Sequence, residues 1–242
     1  MSKLNYGRKR IILNYDEVTP ENFKEVFQDA LPIFNSNARD CRYLIDMFLG
    51  KQDILNRKPQ NTSNINNKCV VNYAFPITRE IVGYTFGNPF EYVPVNNEKR
   101  DDVVAISDIF NYEDSYAVDI NAAMYASICG FGYEVVLPSE DITKDYTPDV
   151  PLTISALDPI HTFVVQSTAV GNPQIMSCIE VCDVNGFTIK YICFTNKYKF
   201  TLTGGRFDKL EVEKNVIGLD PIIMVENSLL LTGDWEQAIP VM

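Results

Sequence analysis

The chain has a single histidine, His161, no apolar run of the roughly eighteen residues that a membrane span needs, and fewer cations than anions. With one imidazole, a histidine-based triad or a His-containing zinc site would have to be assembled around His161 alone. The N-terminus, MSKLNYGRKR, is basic but is not followed by the apolar core of an export signal, so the chain is expected to stay in the cytoplasm where it is made. Its six cysteines, Cys41, Cys69, Cys129, Cys178, Cys182 and Cys193, are then expected to be reduced and to fill core positions, and the Asn61-Thr62-Ser63 sequon to carry nothing.

Lys and Arg number 21 against 32 Asp and Glu, a formal net charge of −11. Phosphate neutralisation supplies most non-specific affinity for nucleic acid, so this balance argues against a protein that grips DNA tightly and leaves only loose or local contact. The one basic cluster, Arg8-Lys9-Arg10, is short and terminal and reads as a solvated tail.

Nucleotide-binding signatures are missing as well. There is no G-x-x-x-x-G-K-[ST], and Gly130-Phe131-Gly132 is followed by Tyr133-Glu134-Val135, without the third glycine of a dinucleotide loop. Cys178 and Cys182 share a strand face, but the two-residue spacer and second ligand pair of a metal site are lacking. The pairs Asp101-Asp102, Glu113-Asp114 and Glu140-Asp141 fall at helix starts or in a loop, where negative charge is favourable or solvated. No catalytic, cofactor-binding or metal-binding residue is assigned.

What the chain does have is 46% hydrophobic and 22% charged residues in 242, enough for a sizeable core in one or two domains. Thr19-Pro20 reads as a helix start, with Phe23, Val26, Phe27, Ala30 and Leu31 on one stripe that Pro32 interrupts. Cys41, Leu44, Ile45 and Phe48 predict a second helix stopped at Gly50, and Gln52 to Asn67 a polar loop. Asn66 to Phe86 predicts a helix buried on several sides, kinked or broken at Pro76 and ended by Gly87-Asn88-Pro89, with a short extended piece at Phe90 to Val95. Helices follow near Lys99 to Phe110 and Glu113 to Ile128, the latter with Tyr116, Ile120, Ala123, Met124 and Ser127 on one face.

After Gly130 the apolar period changes to two. Tyr133 to Leu137, Leu152 to Leu157, Thr162 to Gln166 and Ile175 to Cys182 suit strands, and Asn185-Gly186 and Gly204-Gly205 mark hairpins. Tyr198, Phe200 and Leu202 before the second turn, and Leu210 and Val212 after it, alternate with polar residues, giving one buried and one wet face. Helices first and an antiparallel meandering sheet second place the chain in the α+β class.

Several segments, in order, resemble the portal proteins of long-tailed phages. They are Tyr43 to Arg57 (YLIDMFLGKQDILNR); Asn66 to Pro89, with Asn67-Lys68, Asn72-Tyr73-Ala74, Gly83-Tyr84 and Phe86-Gly87-x-Pro89; Ala126 to Glu134, with Gly130, Tyr133 and Glu134; and Leu157-Asp158-Pro159 before Phe163-Val164-Val165. Pro221-Ile222-Ile223, Glu226-Asn227 and Gly233-Asp234-Trp235-Glu236 complete the set.

The resemblance implies the wing of a structural subunit in a cone-shaped, usually twelve-membered ring at one capsid vertex. Through that ring a terminase motor threads double-stranded DNA, held non-specifically, with capsid, scaffold and head-completion adaptor proteins as partners. It implies no cofactor, no membrane, and a place in the virion after assembly in the host bacterial cytoplasm. Residues 1–131 would form the helical part of the wing, 132–220 its antiparallel part, and 221–242 the lead-in to a stem, with clip and crown farther on. The motif residues are expected to hold the fold. Two other readings stay open at this stage: an intracellular enzyme using a Cys–His or carboxylate site, and a free-standing binding module derived from a portal.

Overall fold

Phe23, Val26, Phe27, Ala30, Phe34, Ala38, Cys41 and Leu44 recur every three or four residues and form one buried seam along α1 (Phe23–Phe48). The computed structural model describes residues 4, 6–56, 58, 68–96, 99–139, 152–182, 189–204 and 209–241. The seam runs straight past Pro32, so the expected pair of helices is one helix of 26 residues. Pro32 lies on the exposed side. It forfeits one backbone bond and crowds one carbonyl, a local cost of about 3 kcal/mol, which burial of several phenylalanines on the opposite side outweighs. The helix also begins later than Thr19-Pro20 predicts. Thr19 donates its N–H to Asn22 Oδ1 at 2.7 Å and accepts from Phe23 N–H at 2.9 Å, which makes a turn ahead of the helix.

The second proline expectation is corrected too. α2 spans Ala74–Thr85, and Pro76 stands in its first turn, where the missing N–H has no intrahelical acceptor anyway. Nor is this helix buried on several sides: only Ala74, Thr78 and Val82 are, while Tyr73, Phe75, Ile81 and Tyr84 are exposed. Residues 89–94 run on without regular structure. α3 (Arg100–Tyr112) buries no residue. α4 (Ser115–Cys129) buries Ala122, Ala126, Ser127, Ile128 and Cys129; of the predicted face only Ser127 is buried, while Tyr116, Ile120, Ala123 and Met124 are half-buried. It enters the core by its C-terminal half, where small residues allow close approach.

Among the described residues nine strands flank these helices: β1 (Ile11–Leu13), β2 (Phe131–Pro138), β3 (Leu152–Leu157), β4 (Thr162–Ser167), β5 (Gln174–Cys182), β6 (Ile189–Phe194), β7 (Tyr198–Thr203), β8 (Lys209–Lys214) and β9 (Ile222–Glu226). They form two sheets: a six-stranded one in the order β1-β4-β5-β6-β7-β8, and a three-stranded one in the order β3-β2-β9. β1 runs parallel to β4 and the other pairings are antiparallel. The chain is therefore α+β, as the periodicities predict. The Asn185-Gly186 turn and Gly205 lie outside the described residues. β5 and β6 are paired antiparallel on either side of the first, and Gly204 has φ +104° beside the second.

Two cores result. α1 packs its first half on the six-stranded sheet, where Phe23 stacks on Phe200 at 4.1 Å, Phe27 meets Tyr191 edge-on at 5.0 Å and Phe34 lies 4.6 Å from Phe163. Its second half joins α4 and the three-stranded sheet around Leu44, Met47, Phe131, Tyr133, Leu231 and Trp235. The cysteine expectation holds for Cys41 and Cys129, which are buried thiols. Cys178 and Cys193 also fill the core but are not reduced, since they lie opposite one another on β5 and β6 and are joined as a disulfide, and Cys69 and Cys182 are exposed and fill no core. Among the described residues no helix is long and apolar enough to cross a membrane.

Candidate functional site

Three segments far apart in sequence meet beside the C-terminal end of α4: Gly7–Arg10, the turn from α4 into β2, and residues 226–236 following and including the end of β9. Arg8 N–H donates to the Leu231 carbonyl at 3.1 Å. Its guanidinium forms an ion pair with Glu236 in which both side chains are withdrawn from solvent. Glu236 also accepts Gly7 N–H at 3.2 Å and Gly233 N–H at 3.0 Å. Two residues on, Arg10 grips Glu226 with Nε and Nη2 at 2.8 and 2.6 Å and gives Nη1 to the Leu229 carbonyl at 2.9 Å. The bonds to Glu226, with its charge, push the Arg10 guanidinium above its ordinary value, against the smaller opposing effect of burial. Lys9, between them, exchanges backbone hydrogen bonds with the Asn37 side chain at 3.1 and 2.7 Å. The basic cluster is thus no solvated tail but one half of a clasp.

The motif glycines form the other half. Gly130 caps α4 at φ +91°, and a Cβ there would stand 2.1 Å from the Leu231 carbonyl oxygen. A Cβ on Gly233 would meet the Ile128 carbonyl at 2.4 Å. Asp234 then fastens the junction: its Oδ2 accepts Ser127 Oγ–H at 2.7 Å, its Oδ1 accepts Asn227 Nδ2–H at 2.8 Å, and its N–H donates to the Ser127 carbonyl at 2.9 Å. Gly130 O accepts Asn227 N–H at 3.0 Å. Tyr133, next along β2, is fully buried, and burial pushes its hydroxyl well above the ordinary range. Glu134 faces the other way; burial first, and the charge of Asp119 second, raise its carboxyl.

The other motif residues lie elsewhere. Asn72 joins α1 to α2, donating Nδ2–H to the Phe48 carbonyl at 2.9 Å and accepting Phe75 N–H at 3.3 Å. Lys68 donates to the Leu55 carbonyl. Phe86 meets Phe90 edge-on at 5.6 Å and its carbonyl accepts Tyr116 Oη–H at 2.7 Å. A Cβ on Gly87 would stand 2.6 Å from the Gly83 carbonyl, whereas one on Gly83 would meet nothing within 4 Å. Tyr84 and Pro89 are exposed, and Asn67 lies outside the described residues. Asp158 and Pro159 make the turn into β4, where Asp158 accepts Ile160 N–H at 2.8 Å through Oδ1 and His161 N–H at 3.0 Å through its carbonyl.

His161 follows that turn, with its side chain 42% exposed and Nδ1 3.8 Å from Glu180 Oε1. Cys129 lies against the Cys41 carbonyl at 3.9 Å, and burial pushes its thiol far up, which suits packing and not nucleophilic attack. Among the described residues no group of three or more His, Cys, Asp or Glu is placed to hold a metal ion. The arrangement offers rigidity and close backbone approach in place of an acid–base pair. The sequence reading placed Gly130, Gly233, Asp234, Glu226 and Glu236 in the family segments but read Arg8 and Arg10 as a solvated tail and so missed that they pair with those two carboxylates. The available signal was the i, i+2 spacing of two arginines ahead of the apolar Ile11-Ile12-Leu13.

Residues 30–242 match the model of the family described as phage portal protein, SPP1 Gp6-like. No curated protein matches the chain.

Proposed function

The chain belongs to the phage portal protein family of SPP1 Gp6-like members, and from that premise we propose that it is the wing of a twelve-membered ring at the capsid vertex, through which double-stranded DNA is packaged and later ejected. The observation that carries the reading is the match over residues 30–242, which includes α2, α3, α4, strands β2 to β9 and the C-terminal half of the clasp. Portal proteins are structural virion components, and that role needs a subunit that holds its shape under load. A clasp that joins the first and last described segments supports it. So does the net charge of −11, since a ring with a negative field holds DNA loosely and lets it slide.

In this reading the ring assembles in the host cytoplasm, receives DNA from a separate terminase motor, and meets coat, scaffold and head-completion adaptor proteins. Residues 1–131 and 132–220 supply the two parts of the wing, and 221–242 lead toward a stem. Electron microscopy and mass measurement of the purified intact gene product test it. Closed rings of twelve are expected; a product that stays monomeric at high micromolar concentration overturns it.

A further inference from the structure

We infer, on the premise of the ring reading, that the lobe made by α2, α3 and residues 86–95 of one copy seats on the lysine-bearing edge made by β6, β7 and β8 of the next. The lobe is built like half of an interface. α3 buries none of its residues, and Tyr84, Val93, Val95 and Tyr112 are 93%, 77%, 97% and 73% exposed. Apolar exposure gathered in one region marks a surface that another protein covers.

The lobe also specifies the chemistry of what covers it. Between residues 89–92 and the α3–α4 turn lies a cleft of about 370 Å³ lined by Phe90, Tyr92 and Tyr116 and by the carboxylates of Glu91, Asp114 and Asp119. Among the described residues no cation pairs with any of these three acids. Aromatic faces beside unpaired carboxylates make a receptor for an ammonium or guanidinium group.

The same chain carries the complement. Residues 73–119 hold nine carboxylates against three cations, whereas residues 189–214 hold six cations against three carboxylates. β8 is an edge strand, the register aligns Lys190 of β6 with Lys209 of β8 on the sheet face turned away from α1, and Lys190 forms no ion pair among the described residues. The main packing of α2 and α3 is on α4, not on β6, β7 or β8. Each copy therefore presents two different, oppositely charged surfaces. Head-to-tail contacts that close into a ring need that arrangement, whereas a two-fold dimer needs one self-complementary patch.

Mixing of charge-reversed intact proteins tests the contact. One variant carries Glu91→Lys and Asp108→Lys in the lobe; the other carries Lys190→Glu and Lys209→Glu, which the strand register sets on one face of the edge. Each alone is expected to lower the ring fraction by about tenfold or more at physiological salt while keeping the parent's unfolding temperature, because like charges then face each other. An equimolar mixture is expected to regain rings in which the variants alternate. Rings that form normally from either variant alone, or folded variants that do not recover on mixing, overturn the contact and leave the portal reading standing. If the parent protein forms no ring, the portal reading itself falls.

Discussion

Arg8 and Glu236, 228 positions apart, form an ion pair with neither side chain exposed to solvent. A pair so enclosed resists the loss of one partner, which leaves the other charged and dry. Arg8→Met is expected to cost about 3–5 kcal/mol, and Arg8→Met with Glu236→Leu distinctly less than the sum of the two single changes. Urea unfolding of the four proteins measures this; simple additivity would show that the two groups do not depend on each other.

The motif glycines separate into two kinds. Gly130 has φ +91° and no room for a Cβ, so Gly130→Ala is expected to destabilise by more than about 2 kcal/mol. Gly83, inside α2 with open space around it, should instead gain about 0.5–1 kcal/mol on change to Ala. Thermal melts of both variants decide the matter, and equal losses at the two positions would contradict the geometry.

Asp234 accepts from Ser127 and Asn227, and Ser127 is buried. Removing the carboxylate with Asp234→Ala leaves the buried Ser127 hydroxyl only the long bond to Thr78 Oγ1 at 3.4 Å and is expected to cost about 1–3 kcal/mol. Asp234→Asn keeps one acceptor oxygen and should lose less. Denaturant midpoints that rank the two variants the other way would argue that charge, not acceptor geometry, matters there.

Glu134 introduces a pH dependence. Burial, helped by Asp119, raises its folded carboxyl above the ordinary 4.5. Between 4.5 and that raised value the native state holds more protons than the unfolded chain, so stability falls as pH rises through the window and stays lowered above it. Glu134→Gln removes the titration. The variant should be more stable than the parent at pH 7, with the difference fading as pH falls through that window and gone below 4.5. A difference that is constant with pH, or largest in acid, would refute this assignment.

Much of the architecture is legible along the chain. β3 has the bounds that its period predicts, Leu152–Leu157, and α3 and α4 lie within a few residues of their expected ranges. The errors share a cause. Pro32 and Pro76 read as breaks because the cost of a proline is visible locally, while the burial that overrides it depends on side chains many positions away. β1 has three residues, too few for a period to show, and pairs with β4 more than 150 positions later. The motif residues Gly130, Gly233 and Asp234 could be picked out by their pattern, but not that they meet. The exposed faces of α2 and α3 carry the same apolar spacing as a buried helix, so pattern alone could not tell them from core.

The residue order by itself determined where the backbone coils and where it extends, because hydrophobic periods of 3.6 and two are properties of neighbouring positions. It also determined the class of the fold and the family pattern. Only the tertiary structure decided that Arg8 leaves water for Glu236, that Arg10 reaches Glu226 and that Cys178 meets Cys193. Only it, too, left the helical lobe uncovered. A charge or a thiol acquires its role from the partner that displaces its solvent, and that partner is chosen by long-range packing, which no local stretch of sequence contains.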